Sequence, residues 1–293
     1  MNKYRLHSTV YERDIEEGTK EPKRVFFLSV EGNDTEREYF EGIENFKNEL
    51  GIDVLIKIEV LSRYKSDTHS APAHVIQLLE EFLELRKENP DNAVGFPGEV
   101  IEKYGAEILE TYIESPNLVE SLTKDNIDTD LREIGFDLNY RRYLSKYTNP
   151  DDKYAIIIDR DCGNHSVEEM TQCINHCLEH NYNCYISNPC FEFWLLLHFM
   201  DVEGEISDNE ISIDDIKENK KVSNRHTFVS FELSKLAGHG KSHIKFDRNY
   251  KDKIDIAIQR AQSKAFASTN DELIYNVGTN IWQLIEEMKQ INN

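Results

Sequence analysis

Three carboxylates stand where two apolar runs end. Glu31 follows the run Arg24–Val30, and Asp159 and Asp161 close the run Tyr154–Ile158. Short, nearly continuous runs rich in β-formers read as strands buried on both faces. In an open parallel sheet, ligands gather in the crevice beyond the carboxyl ends of the strands. Carboxylates delivered from two strand ends could therefore converge on one site. The i, i+2 spacing of Asp159 and Asp161 lets both flank one ion as strand gives way to loop. Hard oxygen donors of this kind suit Mg2+ or Mn2+, which keep some waters and bind substrate phosphate. Such a centre supports metal-assisted phosphoryl transfer. The plainer reading is that acidic residues follow strands often in a chain with 55 Asp and Glu. Glu36 could reach the same ion from the first turn of the next helix, or simply complement the dipole of that helix.

A second dense segment is Ser187-Asn-Pro-Cys-Phe-Glu-Phe-Trp-Leu-Leu-Leu-His-Phe199. Its aromatic and Leu side chains read as core, and His198 as a hydrogen-bonded structural residue. Glu192 is unusual, a carboxylate in the first turns of an otherwise apolar helix. It is either a site residue, orienting a metal or a nucleophile, or a dipole-stabilising one with a satisfied partner. Cys173, His176, Cys177 and His180 lie within two helical turns. No pair of Cys-x-x-Cys knuckles accompanies them, so a partly buried helix face is favoured over structural zinc. Gly240-Lys241-Ser242 lacks the earlier Gly and the preceding strand that a phosphate loop needs.

The elements that would position these residues alternate as β-α-β-α. A turn at Glu31-Gly32-Asn33-Asp34-Thr35 leads into a helix carrying Tyr39, Phe40, Ile43 and Phe46. A strand over Val54–Leu61 and a helix over Ala73–Arg86 follow. The pattern resumes with the strand ending at Ile158, a helix opened by the capping box Ser166-Val-Glu-Glu169 and running to about His180, and a short strand over Asn183–Ile186. Such alternation predicts a mostly parallel sheet with flanking crossover helices. Residues 1–20 read as a tail and 21–200 as the α/β core. An acidic insertion at 90–150 interrupts that core with helices around Glu99–Ile113 and Leu118–Ile134. Residues 201–293 read as mainly helical.

The chain has 293 residues, with 34 Lys+Arg against 55 Asp+Glu and a net charge of −21. Such acidity argues against a nucleic-acid partner only if it is evenly spread. It is not: Pro90–Asn139 holds 12 acidic and 3 basic residues, and Asp201–Asn219 holds 8 and 1. Lys220–Lys264 reverses the balance, with 11 basic and 4 acidic. No apolar run approaches the roughly 20 residues of a membrane-spanning helix, so no membrane partner is expected. Five Cys without a signal-like N-terminus point to a reducing cytoplasm.

The combination of Val30-Glu31-Gly32-Asn-Asp-Thr35-Glu36 with Tyr39-Phe40, Asp159-Arg-Asp161 and Ser187–Phe199 resembles the RloB-like family of bacterial proteins. The resemblance implies a Toprim-type, Rossmann-like α/β fold and a role beside restriction and other anti-phage genes. By it, Glu31 takes the acid/base or metal-ligand role, and Asp159 and Asp161 hold Mg2+ or Mn2+. Lys245, with Lys241 competing, becomes the candidate phosphate-assisting base. The expected activity is metal-dependent phosphodiester hydrolysis, on RNA such as tRNA ahead of DNA. An ATPase sensor partner is implied likewise, and a homo-oligomer remains open. The alternative function is a non-catalytic sensor or scaffold subunit that docks through its acidic insertion.

Overall fold

The computed structural model describes residues 22–32, 34–61, 71–87, 96, 98–134, 150–238 and 243–290. The expected tail and Lys241 lie outside them. The chain divides into two units: Glu80–Pro150, with residues 1–21 and 63–68, and a larger one of Pro22–Ser62, His69–Leu79 and Asp151–Asn293.

The larger unit is built on five strands. β1 (Arg24–Val30), β2 (Ile56–Val60), β3 (Lys153–Asp159) and β4 (Asn183–Asn188) are parallel, and β5 (Gly278–Thr279) pairs antiparallel with β4. Their order is β2-β1-β3-β4-β5. Strand β1 is buried along nearly its whole length because helices cover both faces, which explains its unbroken apolar run. The chain leaves β1 toward β2 on one side and returns to β3 on the other. The β1/β3 seam is therefore the topological switch point of this Rossmann-like sheet.

Helix α1 (Thr35–Phe46) follows β1 and buries Tyr39, Phe40 and Ile43 on one face. Helix α2 (Pro72–Lys87) follows β2, and the carbonyl of its Val75 accepts the Ser29 hydroxyl at 2.7 Å. In the smaller unit, α3 (Gly98–Tyr104), α4 (Ala106–Glu114) and α5 (Ser121–Ile134) enclose a small core that includes Val100, Leu109, Ile113, Ile127 and Leu131. The single helix read around Glu99–Ile113 is thus two. Gly105, at φ 81°, sits between them in a conformation that favours glycine and breaks the first helix.

Helix α6 (Val167–His180) carries the expected capping box. Glu169 N–H donates to Ser166 Oγ at 3.1 Å and Ser166 N–H to Glu169 Oε2 at 2.7 Å. Helix α7 (Phe191–Leu196) occupies the middle of the apolar segment Ser187–Phe199; Cys190 stands at its N-cap position without a side-chain cap bond, and Pro189 lies just before it. The C-terminal residues add α8 (Val202–Ser207), α9 (Ile213–Glu218), α10 (Phe228–Ala237), α11 (Phe246–Asn249), α12 (Ile254–Ala261), α13 (Asn270–Leu273) and α14 (Ile281–Gln290). They share the hydrophobic core of the sheet rather than building one of their own. Tyr39 stands at its aromatic centre, with Phe191, Trp194, His198, Phe246 and Tyr250 ringed edge-on around it. Among the described residues, no helix is long and apolar enough to cross a membrane.

Candidate metal centre

The register of the parallel strands sets the site. Val30 pairs with Ile157, so Glu31 leaves β1 one step before β3 ends at Asp159. Glu31 N–H still donates to Ile157 O at 3.1 Å. Its carboxylate crosses the seam, and Oε2 accepts Asp159 N–H at 2.8 Å. The other oxygen, Oε1, lies 3.4 Å from His165 Nε2. Two strand ends are thus tied together by one acidic side chain.

Glu36 enters from the second position of α1. Its Oε1 accepts Gly32 N–H at 3.1 Å, and the residue is 5% exposed. The turn at Gly32 permits this because it lacks a side chain; a Cβ there would lie 2.1 Å from Glu36 Oε2. Asp159 Oδ1 accepts Phe191 N–H at 2.8 Å, which places a carboxylate against the first amide of α7. Glu192, the next residue of that helix, is 4% exposed.

These four acids act on one another. Burial, followed by the charges of Glu192 and Glu31, pushes the Glu36 carboxyl up to about 7. Burial and the charges of Glu31, Glu36 and Glu192 push Asp159 well above the usual carboxylate range. Glu192 also raises the Tyr250 phenol, whose burial is the larger cause. His165 is raised first by its hydrogen bond to Glu31, then by the charges of Glu31 and Asp161. Like charges collected in low dielectric repel one another unless a cation or protons compensate them. Carboxylate oxygens are the donor type that suits a hard divalent cation such as Mg2+ or Mn2+.

The structure separates the sequence candidates. The charges of Glu31 and Glu192 reach Glu36, and those of Glu31, Glu36 and Glu192 reach Asp159. Asp161 follows two residues later at φ 27°, and its Oδ2 accepts Asn164 Nδ2–H at 2.6 Å. Its charge is felt at His165, while the largest charge effects on Asp159 come from the other three acids. Lys245 is exposed just before α11. Its segment is tied to α1 by Ile244 N–H donating to the Glu38 carboxylate at 2.7 Å.

His198 is structural. Its Nδ1 faces Trp194 O at 3.1 Å, so that nitrogen carries the proton, and Nε2 accepts the Tyr39 hydroxyl at 3.1 Å. Burial, the largest effect, lowers its pKa to about 3, which keeps it neutral.

Two supporting residues carried no sequence signal. His165 lies in the loop after β3, and nothing in its spacing distinguishes it from a surface histidine. Arg160, between the two Asp, is buried; its Nε–H donates to Ile274 O at 2.6 Å and its guanidinium also to His165 O. It pins the loop that presents His165 to Glu31.

Gly32→Ala tests the packing at the turn. The new methyl group must displace the Glu36 carboxylate, so Mn2+ affinity measured by calorimetric titration is expected to fall roughly 10- to 100-fold, the cost of disturbing a ligand's surroundings. Unchanged affinity would remove Glu36 from the ligand set.

No curated protein and no solved structure matches this chain. A family model described as RloB-like protein matches residues 26–288, a span that includes all four clustered acids, both strand ends and the C-terminal helices. By that match over nearly its whole length, the chain belongs to the RloB-like family.

Proposed function

We propose that this protein is a metal-dependent nuclease of Toprim type, hydrolysing phosphodiester bonds in RNA such as tRNA ahead of DNA, as an effector of anti-phage defence. The observation that supports the reading is that buried Glu36 and Asp159, beside the β1/β3 switch point, feel the charges of Glu31 and Glu192. The substrate class and the defence role rest on the family resemblance.

Asp159, Glu36 and Glu192 would hold Mg2+ or Mn2+. When bound, such an ion neutralises phosphate charge and acidifies a coordinated water. Glu31 is suited to the base. Its Oε2 is engaged by Asp159 N–H, which fixes the side chain and leaves Oε1 to receive a proton from water. His165 Nε2 adjoins that same oxygen and holds it in place. The amide at the start of α7 keeps Asp159 oriented. Substrate phosphates would meet the exposed cations of the basic stretch, Lys245 and the turn bearing Lys221 and Arg225 among them.

Full-length protein incubated with tRNA or DNA and Mn2+ is expected to yield cleavage products that vanish on chelation. Glu31→Gln keeps the shape of the side chain but lowers its basicity, and should slow cleavage by about 10²- to 10⁴-fold, the usual worth of a general base. Cleavage by Glu31→Gln at the wild-type rate, or cleavage that survives chelation, refutes the reading.

A further inference from the structure

Away from the carboxylate cluster, Cys173 and Cys177 stand one turn apart on α6 and meet Cys184 on β4. The three Sγ atoms lie within 4.8 Å of one another. Each thiol thus faces the other two, and the group forms a closed triangle. They are 4%, 0% and 8% exposed. His176 and His180, which share the helix with them, turn to another face and stack on each other at 4.1 Å. The structure therefore assembles a cluster different from the Cys/His grouping visible along the helix.

We propose that Cys173, Cys177 and Cys184 form a three-thiolate site for a thiophilic divalent ion of the Zn2+ class. Three sulfurs from two elements that are already packed can close around one ion with side-chain adjustment alone. Zn–S bonds of about 2.3 Å in tetrahedral geometry bring the sulfurs closer together than the spacing limit seen here. Mutual contacts and burial push the Cys173 and Cys184 thiols up; binding as three thiolates releases a proton from each thiol that is protonated and leaves a complex of net charge −1. A cleft beside the cluster has Cys177, Asn183, Cys184, Asn280 and Gln283 in its wall. Soft sulfur donors and hard carboxylates prefer different ions, so this site and the carboxylate centre fill independently.

Cobalt(II) tests the proposal, because only thiolate ligation gives a sulfur-to-cobalt charge-transfer band in the near ultraviolet. Full-length reduced protein titrated with Co2+ should develop the band to one equivalent, and Zn2+ should abolish it. The band should persist in Cys162→Ser, whose thiol is exposed and outside the cluster. It should be lost in Cys173→Ala, Cys177→Ala and Cys184→Ala. A second readout needs only wild type: Zn2+ should shield three thiols from a thiol-modifying reagent, and a chelator should restore their reactivity. No band in the wild type, a band surviving Cys184→Ala, or thiol reactivity indifferent to Zn2+ overturns the proposal.

Discussion

Asp159→Asn is expected to make the metal-free protein more stable while weakening the proposed binding of Mn2+. Asparagine keeps the size of the side chain, and its Oδ1 can still accept Phe191 N–H, so the start of α7 remains capped. The substitution deletes one buried negative charge that Glu31, Glu36 and Glu192 all oppose. Relief of desolvation and like-charge repulsion should stabilise the metal-free fold at pH 8, with the melting temperature rising by several degrees. The same change leaves a neutral, weaker donor at the end of β3. Mn2+ affinity should drop about 100-fold or more, beyond the usual effect of disturbing groups that merely support a ligand. A purely structural carboxylate would behave in the opposite way, losing stability with no change in metal response. Thermal melts with and without Mn2+ separate the two.

Stability of the metal-free protein should fall as pH rises from about 4.5 to about 7. Glu36 is raised from 4.5 to about 7 in the folded chain, so the folded state holds its proton more tightly than the unfolded chain does. The resulting contribution is complete below pH 4.5 and is lost as pH passes through 7. A shift of this size corresponds to about 3 kcal/mol. His165 adds in the same direction: its pKa is raised above 6.5 by Glu31, so the benefit of its protonated form is present below 6.5 and disappears at higher pH. Above pH 7 the four acids repel one another, and a divalent cation relieves that repulsion. Urea midpoints across pH 5 to 8 should therefore decline without metal and level out with millimolar Mg2+. A midpoint that rises through this range, or an equal Mg2+ effect at pH 5 and pH 8, would contradict the electrostatic account.

The strands and the longer helices were legible because burial on two faces writes unbroken apolar runs, as in β1 and β3, while one-sided burial writes a helical period, as in α1. The capping box at Ser166 and Glu169 marked the start of α6 to the residue. Strand β5 was not legible. It has two residues, and its pairing with Ser187 and Asn188 depends on residues about 90 positions away. For the site, placing Glu31 and Asp159 at strand ends needed only the parallel-sheet rule. Glu36 and Glu192 stood as alternatives because a carboxylate in a first helical turn looks the same whether it serves the helix dipole or a neighbouring site. Only the packing of α1 and α7 at the β1/β3 seam distinguishes them. Asp161, the other acid of the Asp-Arg-Asp triplet, stands where the chain turns at φ 27°, and one of its oxygens accepts Asn164 Nδ2–H, a local contact that the spacing does not announce. Arg160 and His165 act through backbone carbonyls and a single contact, which leave no periodic trace.

The proposed function requires Asp159, Glu36 and Glu192 to hold a divalent cation beside Glu31. A crystal structure of the full-length protein grown with Mn2+, with anomalous data collected near the manganese edge, tests it most directly. The account predicts an anomalous peak coordinated by oxygens of Asp159, Glu36 and Glu192 beside Glu31. An empty cluster whose carboxyl groups hydrogen-bond directly to one another at saturating Mn2+, or a peak bound elsewhere on the chain alone, would contradict it.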